Sequence, residues 1–361
     1  MKRWGKRLAF LLPGLLALLL YLLLPYAPKV AEYGFARGVF RLLSIPLGAV
    51  TSLLPFSLTE LLAVAALPAL LGLSALLIRR LRRSAAPRQL WARAVRSVGW
   101  VLSSALLLYM LLHGLNFYRL PAAELMGLET GSLTPETLLS ITTDLARRAS
   151  AERAALAEDA DGCMILSDSL SDTLKQAGDG YQTLEERYPF LRGSVSRAKP
   201  VQLSHWWSYT GITGMYFPFL AEANVNIDVP PSELPATAAH ELAHTRGFAR
   251  EDECNFFAYL ACLSHPSGDY RYSGTLLAYI YCSNALYDYD QALWQEARTF
   301  CSEAVLRDLS QRGNYWRQFE GEIQQVSTSV NNAFIQAQGD ADGVFSYSRV
   351  VQLIAAYERL K

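Results

Sequence analysis

Ser232-Glu233-Leu234-Pro235-Ala236-Thr237-Ala238-Ala239-His240-Glu241-Leu242-Ala243-His244-Thr245-Arg246-Gly247 sets the pattern H-E-x-x-H between a proline pair and a glycine. Pro230 and Pro231 end an extended run, Ser232 is the expected helix cap, and Glu233 suits the first turn. Ala236, Ala238, Ala239, Leu242 and Ala243 are small or apolar, so the spacing predicts a buried helix that stops at Gly247. Residues four apart share one helix face, and His240 and His244 can therefore offer imidazole nitrogens to a single metal ion. Glu241 stands beside that pair, where a carboxylate can take a proton from a metal-bound water whose pKa zinc lowers to roughly 7.

A zinc site of this kind needs a third protein ligand. Arg250 occupies the position at which H-E-x-x-H-x-x-G-x-x-H proteins (metzincins) carry a third histidine, so that likeness fails. The nearby carboxylates are Glu251 and Glu253, at the start of a second helix expected from about Arg250 to Leu263; Glu251, Asp252 and Glu253 suit the positive end of its dipole. The run Glu251-Asp252-Glu253-Cys254-Asn255-Phe256-Phe257-Ala258 resembles the E-x-x-A-[ND]-x-x-A helix of gluzincin-like metallopeptidases, including membrane-bound HtpX-type and ImmA/IrrE-type proteases. That resemblance implies that Glu251 is the metal ligand and that Asn255, one turn on, supports a metal-binding side chain. Cys254 departs from the pattern, and the short gap between His244 and Glu251 leaves Glu253 as the alternative ligand.

The wider chain resembles a bacterial family of membrane-anchored H-E-x-x-H proteins, the domain of unknown function 3810. The likeness rests on the N-terminal apolar helices, on 218–226, on 240–259, on 271–281 and on 343–357. It implies N-terminal transmembrane α-helices followed by a mainly α-helical α+β zincin-like metallopeptidase domain with a small sheet, and it names no substrate.

The N-terminal part reads as membrane anchor. Met1 to Arg7 is basic, and a leucine-rich run from Leu8 to about Tyr26 is long enough to span a bilayer. A cleavable signal peptide is the competing reading, disfavoured by the length of the run and the lack of an A-x-A site. Further apolar runs cover about Ser57–Ile78 and Val98–Leu115, separated by seven arginines from Arg79 to Arg96 with no acid among them. The positive-inside rule then places the arginine loop in the cytoplasm and everything after about Phe117 outside. Segment 27–56 is apolar but broken by Pro28, Pro46 and Pro55, which leaves open an interfacial or re-entrant piece. The expected division is an anchor over 1–117 and an extracytoplasmic zincin-like domain over 118–361. Residues 1–117 hold 14 basic and 2 acidic side chains, and the remainder 19 and 31. The outer part is therefore acidic, which argues against nucleic acid as a partner.

Within that part, Leu133 to about Ala177 reads as helical, with Pro135 in the first turn. Val201–Tyr216, with His205, reads as an aromatic-rich packed loop. Val225, Ile227 and Val229 alternate with Asn224, Asn226 and Asp228 as in a half-buried strand, a candidate for the edge strand that aligns a peptide. Tyr272 is a candidate for stabilising an oxyanion, with a core tyrosine as the competing reading. The tail reads as two or three helices around a 339–343 loop, and Phe345–Arg349 could line a cleft or simply cap a helix. The cysteines Cys163, Cys254, Cys262, Cys282 and Cys301 form no C-x-x-C pair and read as small core residues.

Two functions of different class follow. The first is a multi-pass cell-membrane zinc metallopeptidase, with a peptide or protein substrate, the lipid bilayer as its setting and Glu241 activating the water. The second is a metal-binding sensor or scaffold without turnover. An intramembrane protease is set aside, because Glu233, Arg246 and Arg250 flank the motif too closely.

Overall fold

The computed structural model describes residues 8–194, 196–337 and 347–360; the basic start, the 339–343 loop and Phe345–Ser346 lie outside the described residues. The leucine run forms α1 (Leu12–Leu23) within an apolar helix over Ala9–Tyr26. After α2 (Arg41–Thr51) come α3 (Leu58–Arg83) and α4 (Pro87–Leu112). Ser57 caps α3 by accepting the Glu60 N–H at 2.9 Å, and Pro87 opens α4, where its missing N–H costs nothing. Ala9–Tyr26, α3 and α4 are each long and apolar enough to cross a membrane. Leu61, Leu67, Leu70 and Leu73 on α3 all face outward, a surface stable in hydrocarbon and not in water. The chain is therefore membrane-associated.

Segment 28–57 does not form a further crossing. It runs through a π-helical stretch (Ala31–Phe40) and α2, and it packs on the folded body that follows α4. Glu32 is fully buried and ion-paired with Arg119 at 2.8 Å, and Thr51 Oγ1 donates to the Leu220 carbonyl. The cost of burying Glu32 this deeply is offset only by such pairing.

The body opens with α5 (Pro135–Arg153), capped by Thr134, and α6 (Asp179–Arg187). The helical pattern expected through Ala177 is interrupted. Asp159 accepts the N–H groups of Asp161 and Cys163, and Gly162 takes φ +73°, so the chain turns before a short helix at Leu170–Gln176. A sheet follows, of β1 (Ala198–Val201), β2 (Gly214–Phe217) and β3 (Glu222–Asn226), in the order β1-β3-β2. β1 pairs parallel to β3, and β2 antiparallel to it. The rest is helical: α7 (Leu234–His244), α8 (Glu251–Leu263), α9 (Gly268–Tyr289), α10 (Glu303–Arg317), α11 (Glu322–Ala337) and α12 (Tyr347–Glu358).

Two details differ from the sequence expectation. Ser232 does not cap α7; the helix starts later, and Ser273 from α9 accepts the Ala236 N–H while donating to the Ser232 carbonyl. Glu233 turns instead to Trp316 and Arg312 on α10. The strand before the metal helix is also not an edge: β3 is the central strand, and its polar face is buried. Glu222 accepts the N–H and hydroxyl of Thr59 and pairs with Lys199, while Asn224 meets Ser57 and Asn226 meets Ser208. Ser57 and Thr59 belong to the start of α3, so the polar face is covered by the membrane-proximal chain. Residues 118–361 alone should therefore fail to give a cooperative thermal transition, because Glu222, Lys199 and Asn224 lose buried partners. A sharp melt of that fragment would contradict this.

Candidate metal centre

α7 ends at His244 and α8 begins at Glu251, so the candidate ligands come from facing helix ends joined by a tight turn. Gly247 takes φ +82° in that turn, which favours glycine, and a Cβ there would press on the Phe40 ring. Arg119 fixes the turn: its Nη1 donates to the Gly247 carbonyl at 2.8 Å, and its guanidinium lies 3.9 Å from the Phe248 ring centroid. Through Glu32, the segment after α1 thereby holds the loop between the two helices that carry the candidate ligands.

His240, His244 and Glu251 each offer one ligand atom, and these atoms lie within 4.8 Å of one another. Glu251 Oε2 is 3.1 Å from His240 Nε2, and Oε1 is 3.7 Å from His244 Nε2. The far nitrogens are both committed. His240 Nδ1 bonds Asn255 Oδ1 at 2.9 Å, and His244 Nδ1 bonds the Phe248 carbonyl at 2.8 Å. Oxygen acceptors there hold a proton on Nδ1, so Nε2 is the nitrogen that faces the cluster and would bind a metal on giving up the proton it shares with Glu251. Asn255→Ala should weaken metal binding by about 10–100-fold, read by competition with a chromophoric chelator. An unchanged affinity would show that the ring needs no such support.

Glu241 is buried on the side facing β2. The Tyr216 N–H is bonded to its carboxylate, and a Cβ on Gly214 would collide with it. Its Oε2 has no hydrogen-bond partner among the described residues, an orphaned buried oxygen beside three converging N and O ligands. That donor set and that orphan fit a divalent cation and a water. Burial, with Glu251 nearby, raises Glu241 to about 8 against the pull of His240. Burial disfavours charge on His240 too, but the Glu251 carboxylate outweighs it and holds the imidazole up to about 9; the histidines reciprocally hold Glu251 at about 2 against the partial desolvation of its carboxylate.

The other sequence candidates fall elsewhere. Glu253 points away from the cluster: its Oε1 accepts from the Ala122 N–H and from Arg250, both at 2.7 Å. Residues two apart on a helix face nearly opposite sides, so only one of Glu251 and Glu253 can join the histidines. Tyr272 is a core tyrosine whose hydroxyl donates to Asp308, itself paired with Arg153; nothing connects it to the cluster. His205 meets Asp228 at the half-exposed surface. Cys254 is buried with its Sγ against the Phe248 carbonyl, and all five cysteines are free and buried. Arg349 pairs with Asp252 at 2.9 Å.

Two residues not singled out in the sequence complete the surroundings. His113, immediately after α4, sets its ring 5.9 Å from that of His244, and burial holds it neutral, down to about 3. Tyr216 on β2 stacks on His244, also at 5.9 Å. One signal for His113 was in the chain: it is among only five histidines, and it closes an apolar run. Tyr216 carried none, since its place depends on the pairing of β2 with β3. That pairing makes β2 the strand facing the site. Asn226 donates to the Thr213 carbonyl, so the ladder alternation turns the main-chain groups of Gly214 and Tyr216 away from β3.

The family described as "Protein of unknown function (DUF3810)" matches residues 35–355, which takes in α2 to α4, the sheet and the helices α7 and α8. No curated protein and no solved structure matches the chain.

Proposed function

The chain belongs to the DUF3810 family, and we propose that it is a membrane-anchored zinc metallopeptidase of zincin-like fold that hydrolyses peptide bonds. One observation carries this: two imidazoles and a carboxylate converge beside a buried glutamate with an unpaired oxygen, on the free edge of a strand. His240, His244 and Glu251 would hold the ion, a ligand set of the three-residue kind found in catalytic zinc sites. Zinc there would supply Lewis acidity, acidifying a water and polarising a substrate carbonyl.

The chain's own residues do the rest. Glu241 takes the proton from the attacking water and passes it to the leaving amine, and its position against Tyr216 N–H keeps one oxygen aimed into the cleft. Asn255 and the Phe248 carbonyl orient the rings. The Gly214 main chain and the Tyr216 carbonyl face away from β3 and would offer themselves to an extended substrate, which suits a peptide of little sequence preference. The positive-inside rule supports a body outside the cytoplasm, since the arginines from Arg79 to Arg96 cluster where α3 joins α4, and the body joins the opposite ends of these helices.

The test is incubation of the purified full chain with a quenched-fluorescent peptide library. Cleavage that stops with a zinc chelator and returns with added zinc supports the proposal. No cleavage by the metal-replete protein across the library would move the assignment to a metal-binding sensor or scaffold.

A further inference from the structure

The metal cluster is tied to the ends of two membrane helices. On α4, Arg88, Arg93 and Arg96 mark one interface. A bilayer core of about 30 Å takes about 20 helical residues, so the opposite interface falls close to His113. His113 lies against His244, and the Tyr216 hydroxyl reaches the Leu112 carbonyl at 3.5 Å. On α3 the first arginine is Arg79, and the same length counted back ends close to Leu58. The Leu58 and Thr59 N–H groups bond Glu222, on the strand paired with β2. α4 thus brings His244 and β2 to the bilayer surface, and α3 brings β3, the strand paired with β2.

A third element agrees. Ile323, Val326, Val330 and Phe334 form an exposed apolar stripe along α11, opposite a face of Gln, Ser, Thr and Asn. Phe334 meets Tyr109 of α4 edge-on at 6.4 Å, and Tyr21 from the first span donates to the Ala337 carbonyl at 3.0 Å. The stripe is therefore continuous with the apolar surface of the membrane helices, as a face turned to lipid would be. At its other end, Gln324 packs against Gly211, just before β2. α11 runs between the loop that leads into β2 and the membrane helices that border His113.

We propose that the substrates are themselves membrane-anchored polypeptides, cut in the short stretch of extended chain that emerges from the bilayer. This rests on the peptidase reading of the same site. A site held at the end of its own membrane helix meets the first residues of a neighbour's stalk most often, about ten at roughly 3.3 Å each, because more distant residues must loop back to it at an entropic cost. Confinement of both partners to one membrane also raises their effective concentration.

The probe is a single-span polypeptide with an unstructured stalk several times that reach, placed with the full chain in phosphatidylcholine vesicles, stalk and body on the same side. Cuts are mapped by mass spectrometry, beside the same stalk supplied as a free peptide. The expected result is cuts within about ten residues of the span, at least about tenfold faster than any cut in the free peptide. Cuts spread along the whole stalk, or equal rates on the free peptide, would overturn the membrane-proximal assignment and leave the peptidase standing. No cut in either substrate by metal-replete protein would overturn both.

Discussion

Glu241→Gln should retain the bound metal and lose peptide hydrolysis by about 10²–10⁴-fold, the range of a general base. Glutamine has the same length and can still accept the Tyr216 N–H, so the edge of β2 keeps its contact with α7. What it lacks is a basic oxygen. In the metal-free site, burial already raises Glu241 to about 8, so the amide removes a carboxylate that is costly to ionise there and the fold should not suffer. The check is paired: metal content by elemental analysis and turnover on the same sample. Wild-type turnover in the variant would remove Glu241 from the mechanism; loss of metal would assign it to metal retention.

The second large effect separates two neighbouring acids. Glu251→Ala should abolish tight metal binding while leaving the metal-free protein close to its original stability, because the side chain is 41% exposed and its partners are the ligands themselves. Glu253→Ala should do the reverse. Its side chain is 4% exposed and holds Arg250 and the Ala122 N–H, so its loss leaves buried donors unpaired and costs about 3–5 kcal/mol. Metal should remain bound. Saturating metal adds stability to the wild type, about 2.7 kcal/mol at a hundredfold excess over Kd, and should add none to Glu251→Ala. A metal-dependent rise in Tm for Glu251→Ala, absent in Glu253→Ala, would reverse the assignment of the third ligand.

The helix carrying His240 and His244, and its stop at Gly247, could be read from local spacing, because both depend on residues within a few turns. The choice between Glu251 and Glu253 could not. It depends on how α8 leaves the turn, and that turn is held by Arg119 and by Glu32, which is remote in sequence. The alternation of Val225 with Asn224 and Asn226 correctly marks a strand, yet it suggests a wet face. The structure buries that face under Ser57 and Thr59, so a polar residue there reports a buried partner and not solvent. β2 is four residues long and begins at a glycine, too short to alternate visibly, and its importance comes from being the strand beside Glu241. The prolines of segment 28–57 suggested a broken helix, yet the helical run is continuous from Pro28 to Thr51 with Pro46 inside it, and what it packs on could not be read locally. Division at residue 117 followed hydropathy, whereas hydrogen bonds from Thr51 to Thr59 cross to the sheet.

The most direct test of the centre is X-ray absorption at the metal edge of the zinc-loaded full chain, kept whole because residues 28–60 complete the body. The structure predicts one ion per chain in a shell of nitrogen and oxygen, with scattering from two imidazoles and none from sulfur, since Cys254 lies on the Nδ1 side of His244. A sulfur shell, a single imidazole, or a folded chain that binds no stoichiometric metal would contradict the assignment of His240, His244 and Glu251.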